Sequence, residues 1–152
     1  MATQYVRLKK CGLEETLKAI TEHNNGSTGI DYKERDKRVE FAGEKLKLSS
    51  LRLRTFAAYG TECVDCGIKA AFFAIERHQI DVNYHINLWA IKPDGQQILM
   101  THDHILARSL GGADNLSNTQ TMCMECNFEK GKIEHKLKEL RKIKKVEDTA
   151  NN

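Results

Sequence analysis

The chain has 152 residues, with 40% hydrophobic and 30% charged side chains and a formal net charge of +3. That length suits one compact domain with short extensions or two very small lobes, and the composition excludes a disordered or collagen-like chain. No apolar run reaches the roughly 20 residues of a membrane helix, and Met1-Ala2-Thr3-Gln4-Tyr5 lacks the layout of a signal peptide. No membrane association is therefore expected, the expected location is the cytoplasm, and disulfides are not expected to persist there.

Residues 1–30 read as partly helical: Leu13, Leu17 and Ile20 recur at helical spacing, and Asn24-Asn25-Gly26-Ser27 ends the segment. Residues 31–38 are dense in charge and expected to be exposed. Val39 and Phe41, then Leu46 and Leu48, flank Ala42-Gly43-Glu44 as a short hairpin. Ser49 or Ser50 caps a predicted helix that runs to Tyr59, with Gly60 as its left-handed exit. Cys63-Val64-Asp65-Cys66-Gly67 forms a tight knuckle. Phe72 to Ile75 and Tyr84 to Ile91 read as strands, and Lys92-Pro93-Asp94-Gly95 as a turn. Gln96 to Asp103 returns as the partner strand. Gly111-Gly112 opens a loop that runs to about Asn118. One helix is predicted to start near Cys123 and another to span Ile133 to Val146, with Glu147 to Asn152 frayed.

The charge is unevenly spread. Lys130, Lys132, Lys136, Lys138, Arg141, Lys142, Lys144 and Lys145 crowd the last quarter, and Lys45, Lys47, Arg52 and Arg54 form a second group. Such clusters suit a phosphate backbone, where each neutralised phosphate releases a counterion; a solvated helix face explains them equally well. Ile133, Leu137, Leu140 and Ile143 make an apolar stripe beside a basic face. The stripe suits packing on the domain or on a second copy, which leaves a monomer and a homodimer both open.

Cys63-x-x-Cys66 and Cys123-x-x-Cys126 are the most specific chemical signal. Each pair aims two thiolates at one tetrahedral ion, and two pairs fill all four positions. Soft thiolates favour zinc or an iron–sulfur cluster over magnesium or calcium. Buried small hydrophobes and redox dithiols are the competing explanations. Two matched pairs speak against the first, and the lack of a thioredoxin-like βαβ pattern against the second. A structural zinc ion with no open position is expected, stapling a small core. The stretch 67–122 exceeds the usual zinc-ribbon gap of about 15–20 residues, so a folded insert is expected between the knuckles. Cys11 is left over as an ordinary thiol.

That insert carries Thr101-His102-Asp103-His104-Ile105, then Gly111-Gly112, Asn118 and Cys123-Met124-Glu125-Cys126-Asn127, with Lys130-Gly131-Lys132 following. In this order the residues resemble the HNH (ββα-metal) nuclease family, in its branch with two CxxC knuckles, over about residues 61–132. The compact format resembles phage-encoded members, which would act in the host-cell cytoplasm or nucleoid. The resemblance implies an α+β fold: a ββα-metal core stapled by the four-cysteine zinc site, a helical N-terminal extension with a short hairpin over 1–60, and a C-terminal basic helix and tail over 133–152. It implies a DNA endonuclease with one catalytic divalent ion, Mg2+ or Mn2+. Asp103 and Asn127 would bind that ion, His104 would be the general base, and Asn118 would brace the loop. The products would be a 5′-phosphate and a 3′-hydroxyl.

The residue types suit that chemistry. Asp103 is a hard oxygen ligand, and Asn127 adds an oxygen without adding charge. A histidine titrates near neutrality, as a general base should. Arg108, Lys130 and Lys132 are the expected DNA contacts. Along an ideal strand residues 102 and 104 share a face and 103 points away, so Asp103 and His104 reach one cleft only where the strand ends or twists. His102 is then a further candidate metal ligand or base, beside its reading as an exposed histidine. The main rival function is a non-catalytic zinc-containing nucleic-acid-binding protein. It accounts for the cysteines and the basic tail but leaves Asp103, His104 and Asn127 unexplained.

Overall fold

The computed structural model describes residues 4–24 and 37–152. The expectations for Asn25-Gly26-Ser27 and for residues 31–36 lie outside the described residues. In chain order come β1 (Tyr5–Cys11), α1 (Leu13–Asn24), β2 (Val39–Phe41), β3 (Glu44–Leu46), α2 (Leu51–Tyr59), β4 (Ala70–His78), β5 (His85–Ile91), β6 (Gln97–His104), β7 (Thr119–Cys123) and α3 (Met124–Ala150). Two 3-10 turns, Arg108–Leu110 and Leu116–Asn118, lie in the loop between β6 and β7. The expected α+β class is the one observed.

Five strands form one antiparallel sheet in the order β1-β4-β5-β6-β7. Alternation along the strands sorts the side chains onto two faces. Phe73 and Ile75, Ile86 and Leu88, and Ile98 and Met100 point to the face covered by α1 and α2, where they meet Ile20, Leu53 and Phe56 in the main core. Phe72, Ala74, Trp89 and Leu99 form a smaller cluster on the opposite face. Arg7 of β1 lies over the Phe72 and Trp89 rings at 5.1 and 5.3 Å. It also donates to the fully buried Glu76 carboxylate at 3.0 Å, which accepts from Asn87 and Trp89 as well.

Several expectations need correction. Tyr5–Cys11 is an edge strand rather than part of a helical stretch. Its lysines and a register shift between Arg7 and Lys9 mask the alternation and at the same time protect the edge from further pairing. The Ala42-Gly43 turn takes positive φ at both residues, 54° and 89°, as a two-residue hairpin requires. Ser50 caps α2 by accepting from the Leu53 N–H, and Gly60 leaves it at φ 93° and ψ 176°, an extended exit rather than the left-handed helical one. β7 was not foreseen. The two C-terminal helices are one: α3 runs unbroken from Met124 through Gly131 to Ala150, so Glu147 to Ala150 are helical rather than frayed. A single glycine costs a helix only about 1 kcal/mol relative to alanine, too little to break one flanked by lysine, glutamate and leucine. Among the described residues no helix is long and apolar enough to cross a membrane.

Candidate active site

β6, the loop after it, β7 and α3 follow one another as a ββα unit. α3 lies on the side of β6 and β7 opposite to α2. The turn into α3 is made at the second cysteine pair, because Cys123 both ends β7 and is the N-cap of the helix. The Sγ atoms of Cys63, Cys66, Cys123 and Cys126 all lie within 4.8 Å of one another, and those of Cys66 and Cys123 are 3.8 Å apart. A tetrahedral ion with metal–sulfur bonds of about 2.3 Å has ligand–ligand edges of about 3.8 Å, so the cluster fits one such ion. Burial pushes the Cys63 thiol up, but the backbone N–H groups of Cys123, Cys66 and Asp65 outweigh it and bring it down to about 7. Burial is the first cause that raises Cys123 and Cys126, and shared hydrogen bonds with neighbouring thiols add to it at Cys126. Four thiols this close become thiolates together only around a cation. The first pair is tied to the second by the sheet: Val64 N–H donates to the Thr121 carbonyl at 3.0 Å.

β6 stays paired with β7 through its last residue, His104 opposite Thr119. Adjacent residues there therefore leave the strand on opposite sides. Thr101 and Asp103 point towards α3. Asn127 Nδ2 donates to Thr101 Oγ1 at 2.8 Å, and Lys130, one turn further along the helix, donates to Asp103 Oδ2 at 2.7 Å. Gln120 also donates to Asp103 Oδ2, at 2.8 Å. Asp103 and Asn127 thus face the same crevice between β6 and α3, and neither the second carboxylate oxygen of Asp103 nor the amide oxygen of Asn127 accepts a hydrogen bond among the described residues. These two oxygens could hold a hard cation. Beside them an open groove of about 800 Å³ is lined by Thr101, Asn127, Phe128, Lys132 and His135 among others.

His102 and His104 leave β6 on the other side, with ring centroids 5.7 Å apart. On this face Thr119 Oγ1 meets Thr55 Oγ1 of α2 at 2.9 Å. His104 Nε2 lies 2.8 Å from Asp114 Oδ1 in the loop, and Arg108 Nη1 is 3.7 Å from the other oxygen of Asp114. Burial, then the neighbouring His104 and Arg52, lower the His102 pKa below the ordinary histidine value.

The loop is held by Asn118. Its Oδ1 accepts from Leu106 N–H at 3.0 Å, and its Nδ2 donates to the carbonyls of Leu106 and Ala113 at 3.0 and 2.8 Å. Gly112 passes so close to the Leu106 carbonyl that a Cβ there would sit 1.7 Å from the oxygen. Of the expected DNA contacts, Arg108 is exposed, Lys132 pairs with Glu129 at 2.9 Å, and the Lys130 ammonium is turned inward onto Asp103. The second basic group is partly spent internally: Arg52 donates to the Ile86 carbonyl and Arg54 to the Ser49 carbonyl. Sequence reasoning missed Asp114, Gln120 and Thr101. Only Thr101 left a signal, since it shares strand parity with Asp103.

Comparison with known proteins finds a match in one region of the chain. The family model for HNH endonuclease matches residues 92–139, which takes in β6, the loop, β7 and the first part of α3 but not the Cys63–Cys66 knuckle. No curated protein and no solved structure matches the chain. Residues 92–139 thus carry an HNH endonuclease-type segment, whose family implies nuclease activity and a nucleic-acid substrate, beside a four-cysteine cluster able to bind a metal ion.

Proposed function

We propose that this chain is an endonuclease that hydrolyses DNA phosphodiester bonds with one divalent ion, Mg2+ or Mn2+, on a scaffold held by zinc. The observation that carries the reading is the crevice between β6 and α3, where Asn127 meets Thr101 and Lys130 meets Asp103 within a segment that matches an HNH endonuclease family. The bound ion would stabilise the charge that builds on the scissile phosphate and the leaving 3′ oxygen.

The chain's own residues do the rest. Asp103 and Asn127 hold the ion with one charged and one neutral oxygen. His104 ends β6 on the side away from Asp103, with Nε2 engaged by Asp114, so as the base it would take the proton of the attacking water on Nδ1 from a phosphate lying across the end of the strand rather than inside the β6–α3 crevice. Asn118 keeps the loop closed so that Asp114 stays in place. Arg108 and Lys132 meet the phosphate backbone. The products are a 5′-phosphate and a 3′-hydroxyl. Residues 61–132 act as the nuclease domain, 133–152 as a basic helix, and residues 1–60, whose β1, α1 and α2 share the core, bear on target choice. Ile133, Leu137, Leu140 and Ile143 are exposed along α3 and offer a surface to a second copy, whose presence would favour cutting both strands.

The test is a nicking assay on supercoiled plasmid in Mg2+ or Mn2+, with the ends mapped. Cleavage is expected for the native chain, and loss of cleavage for His104→Ala with folding intact. A His104→Ala protein that cleaves at the native rate removes His104 as the base, whereas a native chain that cleaves with neither ion sinks the reading and leaves the non-catalytic zinc protein in its place.

A further inference from the structure

The Lys130 ammonium sits in a cradle of four oxygens. Asp103 Oδ2 and the His104 carbonyl are each at 2.7 Å, Glu134 Oε1 at 2.8 Å and the Ile105 carbonyl at 3.3 Å. Two carboxylates and two carbonyls are the hard donor set that magnesium and manganese also take. Lys130 stands one turn beyond Asn127 on α3, so from one helix face Lys130 reaches Asp103 and Asn127 reaches Thr101, two residues before it on β6.

We propose that Lys130 is a resident cation that competes with the divalent ion for Asp103, so that metal loading requires the ammonium to leave its cradle. This rests on the reading above, in which Asp103 carries the ion. The physical ground is charge. The Asp103 side chain is only 8% exposed, so without metal it needs a partner, and Lys130 supplies one. A divalent ion and an ammonium on one buried carboxylate repel each other strongly at a few ångströms. The exchange needs no backbone movement, because Lys130 has four rotatable bonds between its helix position and its charge. The lysine therefore holds the metal-free site together and keeps it from binding the ion too tightly.

The experiment measures Mn2+ binding by calorimetry and by electron paramagnetic resonance, on zinc-loaded full-length protein, with no DNA and no activity readout. Lys130→Met and Lys130→Gln are expected to bind Mn2+ more tightly than the native chain, by about tenfold or more. They are also expected to show a larger Mn2+-induced rise in melting temperature. Lys130→Arg, which keeps the charge, should stay near the native affinity. Lys130→Gln retains a hydrogen-bond donor for Asp103 and serves if the methionine variant does not fold. Asp103→Asn should abolish binding in each background. If binding depends on Asp103 but neither neutral variant tightens it, the competition is wrong and the metal site stands. If binding is absent throughout, or indifferent to Asp103, the site reading fails and the proposal with it.

Discussion

His104 Nε2 and Asp114 Oδ1 lie 2.8 Å apart, one at the tip of β6 and the other in the loop that follows it. The pair fixes which imidazole nitrogen is committed and which is open. Asp114→Ala should lower the turnover of plasmid nicking by about 10–100-fold, the order of loss when a hydrogen-bond partner that orients an active-site side chain is removed. The Michaelis constant should stay near native, because Asp114 acts through His104 rather than on DNA. A variant with native turnover would remove Asp114 from the mechanism.

Cys126 precedes Asn127 on the first turn of α3, so the thiolate cluster sets where that amide stands. Cys126→Ser should lose the bound zinc, lower the melting temperature and abolish cleavage together, because a small domain depends on its staple. Zinc content, a far-UV spectrum and a melting curve check this. An intact melting curve in an inactive protein would mean that the cluster does something other than support the site.

Gly112 leaves no space for a side chain against the Leu106 carbonyl, and the same loop is closed by the three Asn118 bonds. Gly112→Ala should therefore push the loop open and displace Asp114 from His104. The expected result is loss of cleavage by about a hundredfold with zinc retained. The chemical shift of the His104 ring should move as well, which separates loop displacement from general unfolding.

Two histidines have pKa values below the ordinary one. His85 is lowered by burial and then by Arg38 and Arg52, and His102 by burial and then by His104 and Arg52. The neutral form is therefore favoured in the folded chain. Their contribution to stability is present above the unfolded value of about 6.5 and is lost as pH falls below it towards the folded values. Urea midpoints should drop between about pH 7 and pH 5. The doubly substituted His85→Gln, His102→Gln protein should show a shallower drop. An equal slope in both proteins would assign the acid sensitivity to other groups.

Much of the α+β layout was legible because its signals are local. The alternation in His85–Ile91, the Pro93-Asp94-Gly95 turn and the serine before α2 each act within a few residues. What was missed depended on partners far along the chain. β1 reads as a polar stretch until Phe72 and Trp89 are beneath Arg7. β7 is five residues long and gains its identity from pairing with β6. Gly131 suggests a break that the surrounding helix formers override. In the site, the cysteine spacing pointed to a four-cysteine cluster able to hold a metal ion, whereas the partner of each catalytic candidate could not be named.

The sequence by itself determined which chemical groups are available and in what order: two thiolate pairs, a carboxylate beside an imidazole, two asparagines and a run of lysines. Only the tertiary structure decided which of them meet. Strand parity sends Asp103 to α3 and His104 to the loop, and helix periodicity brings Lys130 onto Asp103 and Asn127 onto Thr101. The reason is that side-chain direction is fixed by local geometry, but what lies in that direction is fixed by packing between segments distant in the chain.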